Sequence, residues 1–398
     1  MQVFPFELKD DEYAPLMDSL EVSCSGISIM HGRFNTKTFM ITDISTPAAN
    51  VVKQHVLAIG GEAAVPAYSV NCSKPKCDLI FSVREDRLSL LLEKFRMQCW
   101  KLPEVANIIE NYLKNKAPWF SFRNKNIDTS RPLVMGILNV TPDSFSDGGK
   151  YNDVEKAVIK AEEMIQQGVD IIDVGGESTR PGSKPVDVEE EVSRVIPVIS
   201  EIKKRYPAIP VSVDTTKSIV AAKSIDMGAD MVNDISGLSF DSKMGDLCAK
   251  KGVPVILMHI QKTPKTMQAS PEYAKLLPEM LGFLQNSIAK ATEAGIKKEK
   301  IIIDPGIGFG KTTEHNLFII KHLEAFQIFG FPLMVGVSRK SVIGDVTGIK
   351  NPSERITGTI VLNFLSIQKG VAIIRCHDVK EAKDSLDIFS ALEGSKCF

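Results

Sequence analysis

The sequence lacks an excess of charge of either sign. Its 48 lysines and arginines stand against 49 aspartates and glutamates, for a formal net charge of −1, so no basic field invites nucleic acid or an anionic membrane. It also lacks any uncharged apolar run near the roughly 20 residues of a membrane span. The opening MQVFPFELKDDE has neither the basic n-region nor the apolar core of a signal peptide. Cysteine is present without a pattern: of seven residues, Cys72 and Cys77 form the one close pair, and no second pair or histidine cluster completes a zinc site. Free buried thiols in a reducing compartment are expected. These absences lead to the expectation of a cytoplasmic protein with no nucleic-acid or membrane partner.

What is present is a chain of 398 residues with 43% hydrophobic content, more than one typical domain and able to bury a proper core. The polar segment 121–132, SFRNKNIDTSRP, reads as a linker. The organisation expected is a small α+β domain over 1–122, a linker over 123–131 and a second domain over 132–398. In the first, TPAANVVKQHVLAIGG reads as a helix capped by Thr46 with Pro47 at its first position and Gly60 and Gly61 ending it. RLSLLLEKFRMQCW and PEVANIIENYLKN have helical spacing, while ISIMHG, TFMITDI and DLIFSV read as strands. His31 and His55 are isolated and read as structural.

After the linker a rhythm sets in of apolar strand, polar loop and amphipathic helix. The strands are LVMGILN, VDIIDVG, VSVD, DMVND, VPVILMH, KIIIDP, PLMVGV and VAIIRCH, and several intervening helices end at a glycine: Gly168, Gly228, Gly295 and Gly370. Near-continuous apolar strands alternating with helices imply a parallel sheet covered on both faces. Eight such units match the length of a (β/α)8 TIM barrel, with a doubly wound open sheet as the rival.

Strand after strand ends in polar side chains: Asn139, then Glu177 to Arg180, Asp214, Asn233 and Asp234, His259, Asp304, then Ser338 to Ser341, and finally Arg375, His377 and Asp378. In a barrel these ends surround one mouth, where barrel enzymes do their chemistry, and helices starting there aim free N–H groups at bound anions. Singly each has a plainer reading. Asp234 and Asp378 suit helix capping, His259 suits a structural group, and Glu177 could pair with Arg180. The stretch DPGIGFGKT is no phosphate loop, because Pro305 stands where the pattern ending in Gly310, Lys311 and Thr312 needs glycine.

GILNVTPDSFSDGG, GGESTRPG, SVDT, NDI, DPGIGFGK, GVSRKS and RCHDV, in this order over roughly residues 131–393, together resemble dihydropteroate synthase. The resemblance implies a (β/α)8 barrel transferase of folate synthesis. Such an enzyme joins p-aminobenzoate to the pyrophosphate ester of 6-hydroxymethyl-7,8-dihydropterin and releases pyrophosphate with the help of Mg2+. It also implies a homodimer. Asp304 would accept two hydrogen bonds from the pterin edge, with Asn233 and Asp214 on neighbouring edges, Lys340 donating to the ring carbonyl and N5, and Met258 offering apolar surface, though Met258 equally suits barrel core. Arg375 and His377 would hold the pyrophosphate, and Asn139 would contact the metal or the leaving group. Thr179, Arg180, Pro181 and Ser341 would shape the p-aminobenzoate site, closed over by Phe145, while Asp143 and Asp147 hold the metal or the closed loop or merely cap turns.

The sequence departs from the family pattern at Ile260, Lys262 and Cys376, none of which has a proposed catalytic role. The residues before about 125 lie outside the family core. Pterin-dependent methyltransferases share the acidic floor but have no use for the anion-binding SRKS and RCHDV. A non-catalytic pterin binder would not need Asn139, Thr179, Arg180, Lys340 and His377 together.

Overall fold

The computed structural model of the chain describes residues 12–30, 32–114, 119–122, 125–129, 131–141, 150–178 and 185–395. The chain divides into two compact units, with the break after Lys114.

The first unit begins with two short helices, α1 (Tyr13–Ser19) and α2 (Cys24–Met30), followed by β1 (Thr36–Ser45), α3 (Thr46–Ala58), β2 (Glu62–Ala64), β3 (Lys76–Arg84), α4 (Glu85–Arg96) and α5 (Leu102–Lys114). The strands pair antiparallel in the order β1-β3-β2. Along β3 the residues Cys77, Leu79, Phe81 and Val83 are buried in alternation, and they pack with Val52 and Val56 of α3 and with Leu88, Leu91, Leu92 and Phe95 of α4. One expected strand is a helix: Ile27 and Ile29 of ISIMHG lie in α2, which buries no residue, so their alternation marked no sheet face. His31 falls outside the described residues. Helix α3 begins at Thr46 with Pro47 in its first turn, but Ser45 is its N-cap, and the Thr46 hydroxyl donates to the Lys74 carbonyl.

The segment expected to be a linker opens the second unit as a hairpin, β4 (Trp119–Phe122) and β5 (Lys125–Asp128). Eight parallel strands follow: β6 (Leu133–Asn139), β7 (Ile171–Gly175), β8 (Val211–Asp214), β9 (Met231–Asp234), β10 (Val255–Met258), β11 (Ile301–Asp304), β12 (Met334–Val335) and β13 (Ile373–Cys376). Each neighbours its sequence successor, β13 returns to β6, and a parallel bridge from Ile303 to Leu333 joins β11 to β12. The sheet is therefore a closed (β/α)8 barrel, and the doubly wound alternative is excluded. Helices α6 (Lys150–Gln166), α7 (Val188–Arg205), α8 (Ser218–Asp226), α9 (Met244–Lys251), α10 (Leu276–Glu293), α11 (Thr313–Lys321), α12 (Ser341–Thr347), α13 (Ile356–Gln368) and α14 (Val379–Gly394) lie on the outside. Gly168, Gly228, Gly295 and Gly370 take positive φ after α6, α8, α10 and α13, as helix ends require.

Successive side chains in a strand point to opposite faces, and the barrel sorts them accordingly. Val134, Leu138, Val174, Val213, Val232, Leu257 and Ile303 pack outward against the helices. Met135, Ile171, Met231, Ile256, Ile302, Met334 and Ile373 point inward and form an apolar plug at the base, where the hairpin adds Phe120. Two residues further along the same inward rows come Asp173, Asn233, Met258, Asp304 and Arg375. The apolar base and the polar mouth are thus consecutive layers of one interior.

Phe120, 1% exposed, closes the base layer, and truncating it leaves a cavity that the surrounding strands cannot fill. Phe120→Ala is expected to lower unfolding stability by about 3–5 kcal/mol, read from the denaturant midpoint at unchanged m-value.

Candidate active site

The parallel register levels the strand ends. Asn139 lies opposite Gly175, Gly175 opposite Asp214, Asp214 opposite Asn233, and Met258 opposite Asp304. Four side chains meet at the floor of the mouth: Asp173, Asp214, Asn233 and Arg375. Arg375 donates from Nε to Asp173 Oδ2 and from Nη2 to Asp214 Oδ2, each at 2.7 Å. Asn233 Nδ2 donates to the same Asp173 oxygen at 2.9 Å. Arg375 is in register with Met135, a layer nearer the base than Asp173, so its long side chain rises through the interior to reach both carboxylates.

Asp173 is fully buried, and its Oδ1 has no hydrogen-bond partner, as is also true of Asn233 Oδ1. Both atoms are acceptors left for a ligand with donors. Sequence reasoning passed over Asp173. The signal was there: a carboxylate in the middle of the apolar IIDVG, two positions before Gly175 and so in the inward phase.

Asp214 is also buried, and burial pushes its pKa up to about 7, against the pull of Arg375 and with help from Asp173. Where Gly175 lacks a side chain, a Cβ would stand 3.6 Å from Asn139 Oδ1 and 3.8 Å from Asp214 Oδ2. The missing side chain leaves a gap in which these two hard oxygens converge. Among the described residues no group of three His, Cys, Asp or Glu side chains converges as a metal site. An amide oxygen and a carboxylate oxygen are hard donors of the kind Mg2+ takes in small number beside water and substrate oxygens, and Asp214 Oδ2 is also bound by Arg375.

On the far side of the mouth Asp304 is 4% exposed and accepts from the Gly306 amide at 2.7 Å. Burial raises its pKa, while Lys340 is the strongest of the groups that oppose this. Lys340 donates to the Ile307 carbonyl and sits 4.6 Å from the centre of the Phe309 ring. Burial lowers its pKa to about 8, opposed by the Asp304 charge. Met258, Ile235, Ile260 and Met267 form a small apolar cluster to which Phe309 is added. Met258 therefore presents apolar surface beside Asp304 rather than filling the barrel base.

His377 pairs through Nδ1 with the Ser338 hydroxyl at 3.0 Å. Arg339, at positive φ of 59°, forms a two-point ion pair with Asp378, so this carboxylate binds Arg339 instead of serving only as a helix cap. Asp234 accepts from the amides of Ser236 and Leu238 and ties its own turn. Ser341 opens α12 and is exposed. Glu177 is bound by Lys217, which also reaches the buried Glu191; Arg180, the partner considered from sequence, lies outside the described residues. So do Phe145, Thr179, Pro181, Asp143 and Asp147.

The chain matches the model of the family described as pterin binding enzyme over residues 135–377. It is 46% identical over 271 residues to the dihydropteroate synthase of Escherichia coli (strain K12), covering 68% of this chain and 95% of the relative. Among solved structures it resembles the Yersinia pestis dihydropteroate synthase with a sulfonamide drug complex, at 42% identity and a TM-score of 0.66 over 70% of this chain and 100% of the other. It also resembles the Xanthomonas albilineans dihydropteroate synthase in complex with 7,8-dihydropteroate, at 38% identity and a TM-score of 0.63, again over 70% of this chain and 100% of the other.

The raised pKa of Asp214 has a consequence for stability. Its folded value, about 7, lies above the ordinary 3.8, so its contribution is fully present below the unfolded value and is lost as pH rises towards 7. Asp214→Asn removes that loss. The variant is expected to gain stability relative to wild type between pH 4.5 and 7.5, by up to about 1.4 kcal/mol per pH unit, in denaturant titrations of the ligand-free protein.

Proposed function

The chain belongs to the dihydropteroate synthase family, and from that premise and the geometry of the mouth we propose how its residues perform the reaction. The enzyme joins p-aminobenzoate to 6-hydroxymethyl-7,8-dihydropterin pyrophosphate, giving 7,8-dihydropteroate and pyrophosphate. The observation that carries the assignment of roles is the ring of buried acceptors, Asp173, Asp214, Asn233 and Asp304, faced by Lys340 and Arg375.

A dihydropterin presents donors along its amino-pyrimidinone edge. Asp304 accepts two of them, with Asn233 and Asp214 on the neighbouring edges and Asp173 completing the floor. Lys340 keeps one N–H on the Ile307 carbonyl and donates with the others to the ring carbonyl and N5, while Met258 and Phe309 cover the ring. Arg375 has Nε and Nη2 occupied by carboxylates, which leaves Nη1 to donate upward to the pyrophosphate together with His377. Asn139, beside Asp214, would hold Mg2+, which would supply charge screening for the leaving pyrophosphate.

Breaking the bond to pyrophosphate first leaves positive charge on the exocyclic methylene, conjugated with the pterin. Asp173 and Asp214 share a single guanidinium, so the floor favours that charge, and the carboxylates are in place before it forms. The arylamine nitrogen then attacks and loses a proton. Thr179, Arg180, Pro181 and Ser341 shape the p-aminobenzoate site under Phe145, a reading that rests on the motifs GGESTRPG, GVSRKS and GILNVTPDSFSDGG. We also propose a cytoplasmic homodimer. Among the described residues no helix is long and apolar enough to cross a membrane. Leu317 and Phe318 of α11, Val346 of α12 and Val361 and Leu365 of α13 leave apolar surface exposed on neighbouring helices.

Purified protein given both substrates and Mg2+ should release pyrophosphate and form dihydropteroate; absence of both would refute the assignment. Asp304→Ala should weaken pterin binding by several kcal/mol, since two charged, desolvated hydrogen bonds at about 1.5–3 kcal/mol each are lost. An unchanged calorimetric affinity would remove Asp304 from the pocket. Sulfonamides should raise the apparent KM for p-aminobenzoate without lowering kcat. Val361→Lys with Leu365→Lys should shift the sedimentation coefficient to that of a monomer.

A further inference from the structure

Lys311 has no role in the reaction as described, yet it is a buried cation in the loop that carries Asp304. That loop passes through Gly306, Gly308 and Gly310, at φ of 66°, 83° and 66°, a region that side chains rarely adopt. A Cβ at 306 would stand 2.0 Å from the His259 carbonyl oxygen. The alternation turns every carbonyl from 306 to 310 towards a side-chain donor. Ile307 O accepts from Lys340, Gly308 O from Gln268 Nε2 at 2.7 Å and Gly310 O from the Tyr273 hydroxyl at 2.9 Å. Gly306 O and Phe309 O both accept from Lys311 Nζ, at 2.8 and 2.9 Å.

The third contact of Lys311 Nζ is His259 Nδ1 at 2.9 Å. Lys311 is 2% exposed and His259 3%, and among the described residues no carboxylate lies within ion-pair distance of this lysine. Three acceptors match the three N–H groups of an ammonium. Burial, with the Lys311 charge adding to it, lowers the His259 pKa to about 2, so the imidazole is neutral and free to accept.

We propose that Lys311 is a positioning residue for pterin binding: its ammonium clamps the Gly306 and Phe309 carbonyls, which bracket Ile307 and Gly308, and through them sets both Asp304 and Lys340. The inference rests on the reading that Asp304 receives the pterin edge. The links are short: the Gly306 amide donates to Asp304 Oδ1, and Lys340 is held by Ile307 O. Lys311 also acts through its charge. Asp304 faces Lys340, Arg375 and Lys311, all of which favour its anion against burial. Lys311 in turn faces His259, Lys340 and Asp304; burial and the Lys340 charge lower its pKa well below the ordinary lysine range, opposed by Asp304, while three acceptors around Nζ favour the ammonium.

The test is steady-state kinetics and thermal unfolding of the full chain carrying Lys311→Met, Lys311→Gln or Asp304→Asn. Lys311→Met is expected to raise KM for the pterin substrate about tenfold or more, because the buried Phe309 carbonyl loses its donor and the Gly306 carbonyl keeps only the Phe309 amide. Its KM for p-aminobenzoate and its kcat should change by less than about threefold. The acid limb of kcat/KM should move to higher pH, because Asp304 loses a cation. Lys311→Gln keeps donors for the carbonyls and removes only the charge. It should recover most of the pterin KM and keep the moved acid limb. A lower Tm with both pterin KM and acid limb unchanged would make Lys311 merely structural and overturn the proposal. If Lys311→Met does not fold, an unmoved limb in Lys311→Gln overturns it equally. Failure of the underlying pocket reading shows separately, as an unaltered pterin KM in Asp304→Asn.

Discussion

Arg375 lodged between Asp173 and Asp214 is the contact on which the mouth of the barrel depends. Each ion alone at that depth would cost several kcal/mol, and a lone carboxylate would take up a proton instead. The guanidinium fork meets one carboxylate with Nε and the other with Nη2, and Asn233 adds a donor to Asp173. The partners are 202 and 161 residues apart in the chain. The contact therefore links β13 across the interior to β7 and β8, with β6 between them. Because two carboxylates share one cation, the balance of charge is left tilted toward the acid side, where a cationic intermediate needs it.

The layer beneath explains why those charges can be there at all. Parallel pairing aligns the inward rows, so apolar residues from seven strands meet at one level and Phe120 of the hairpin closes it. That plug keeps water from the base and leaves the polar layer accessible only from the mouth. A shift of one residue in β7, β8 or β9 would send Asp173, Asp214 or Asn233 among the helices and the neighbouring valine into the site. Register is thus fixed by both faces at once.

Across from the arginine, the loop after β11 is held by a different means. Its three left-handed glycines present carbonyls that no regular element satisfies, and side chains from two other segments, together with Lys311 of its own, supply the donors. Lys217, bridging Glu177 to the buried Glu191, does comparable work at the start of the segment after β7.

Periodicity in the chain was enough to give the barrel: LVMGILN and VSVD coincide with β6 and β8, and every other expected barrel strand contains the observed one. Runs of apolar residues between helical segments leave little freedom, because each face must be covered. The polar residues at the strand ends were legible for the same reason, since closure brings all eight ends to one rim. Other features were decided only in three dimensions. The alternation in ISIMHG had no sheet to join and became helix, whereas Lys125–Asp128 of the polar segment paired with Trp119–Phe122, whose Phe120 is buried against the barrel base. Asp173 was hidden within an apolar run, and what makes it part of the site is the arrival of Arg375 from the last strand. Lys311 looked like the end of a failed phosphate motif, until folding set three acceptors around it. Local pattern dictates which face of a strand is buried; which charge meets which depends on segments that approach only when the barrel closes.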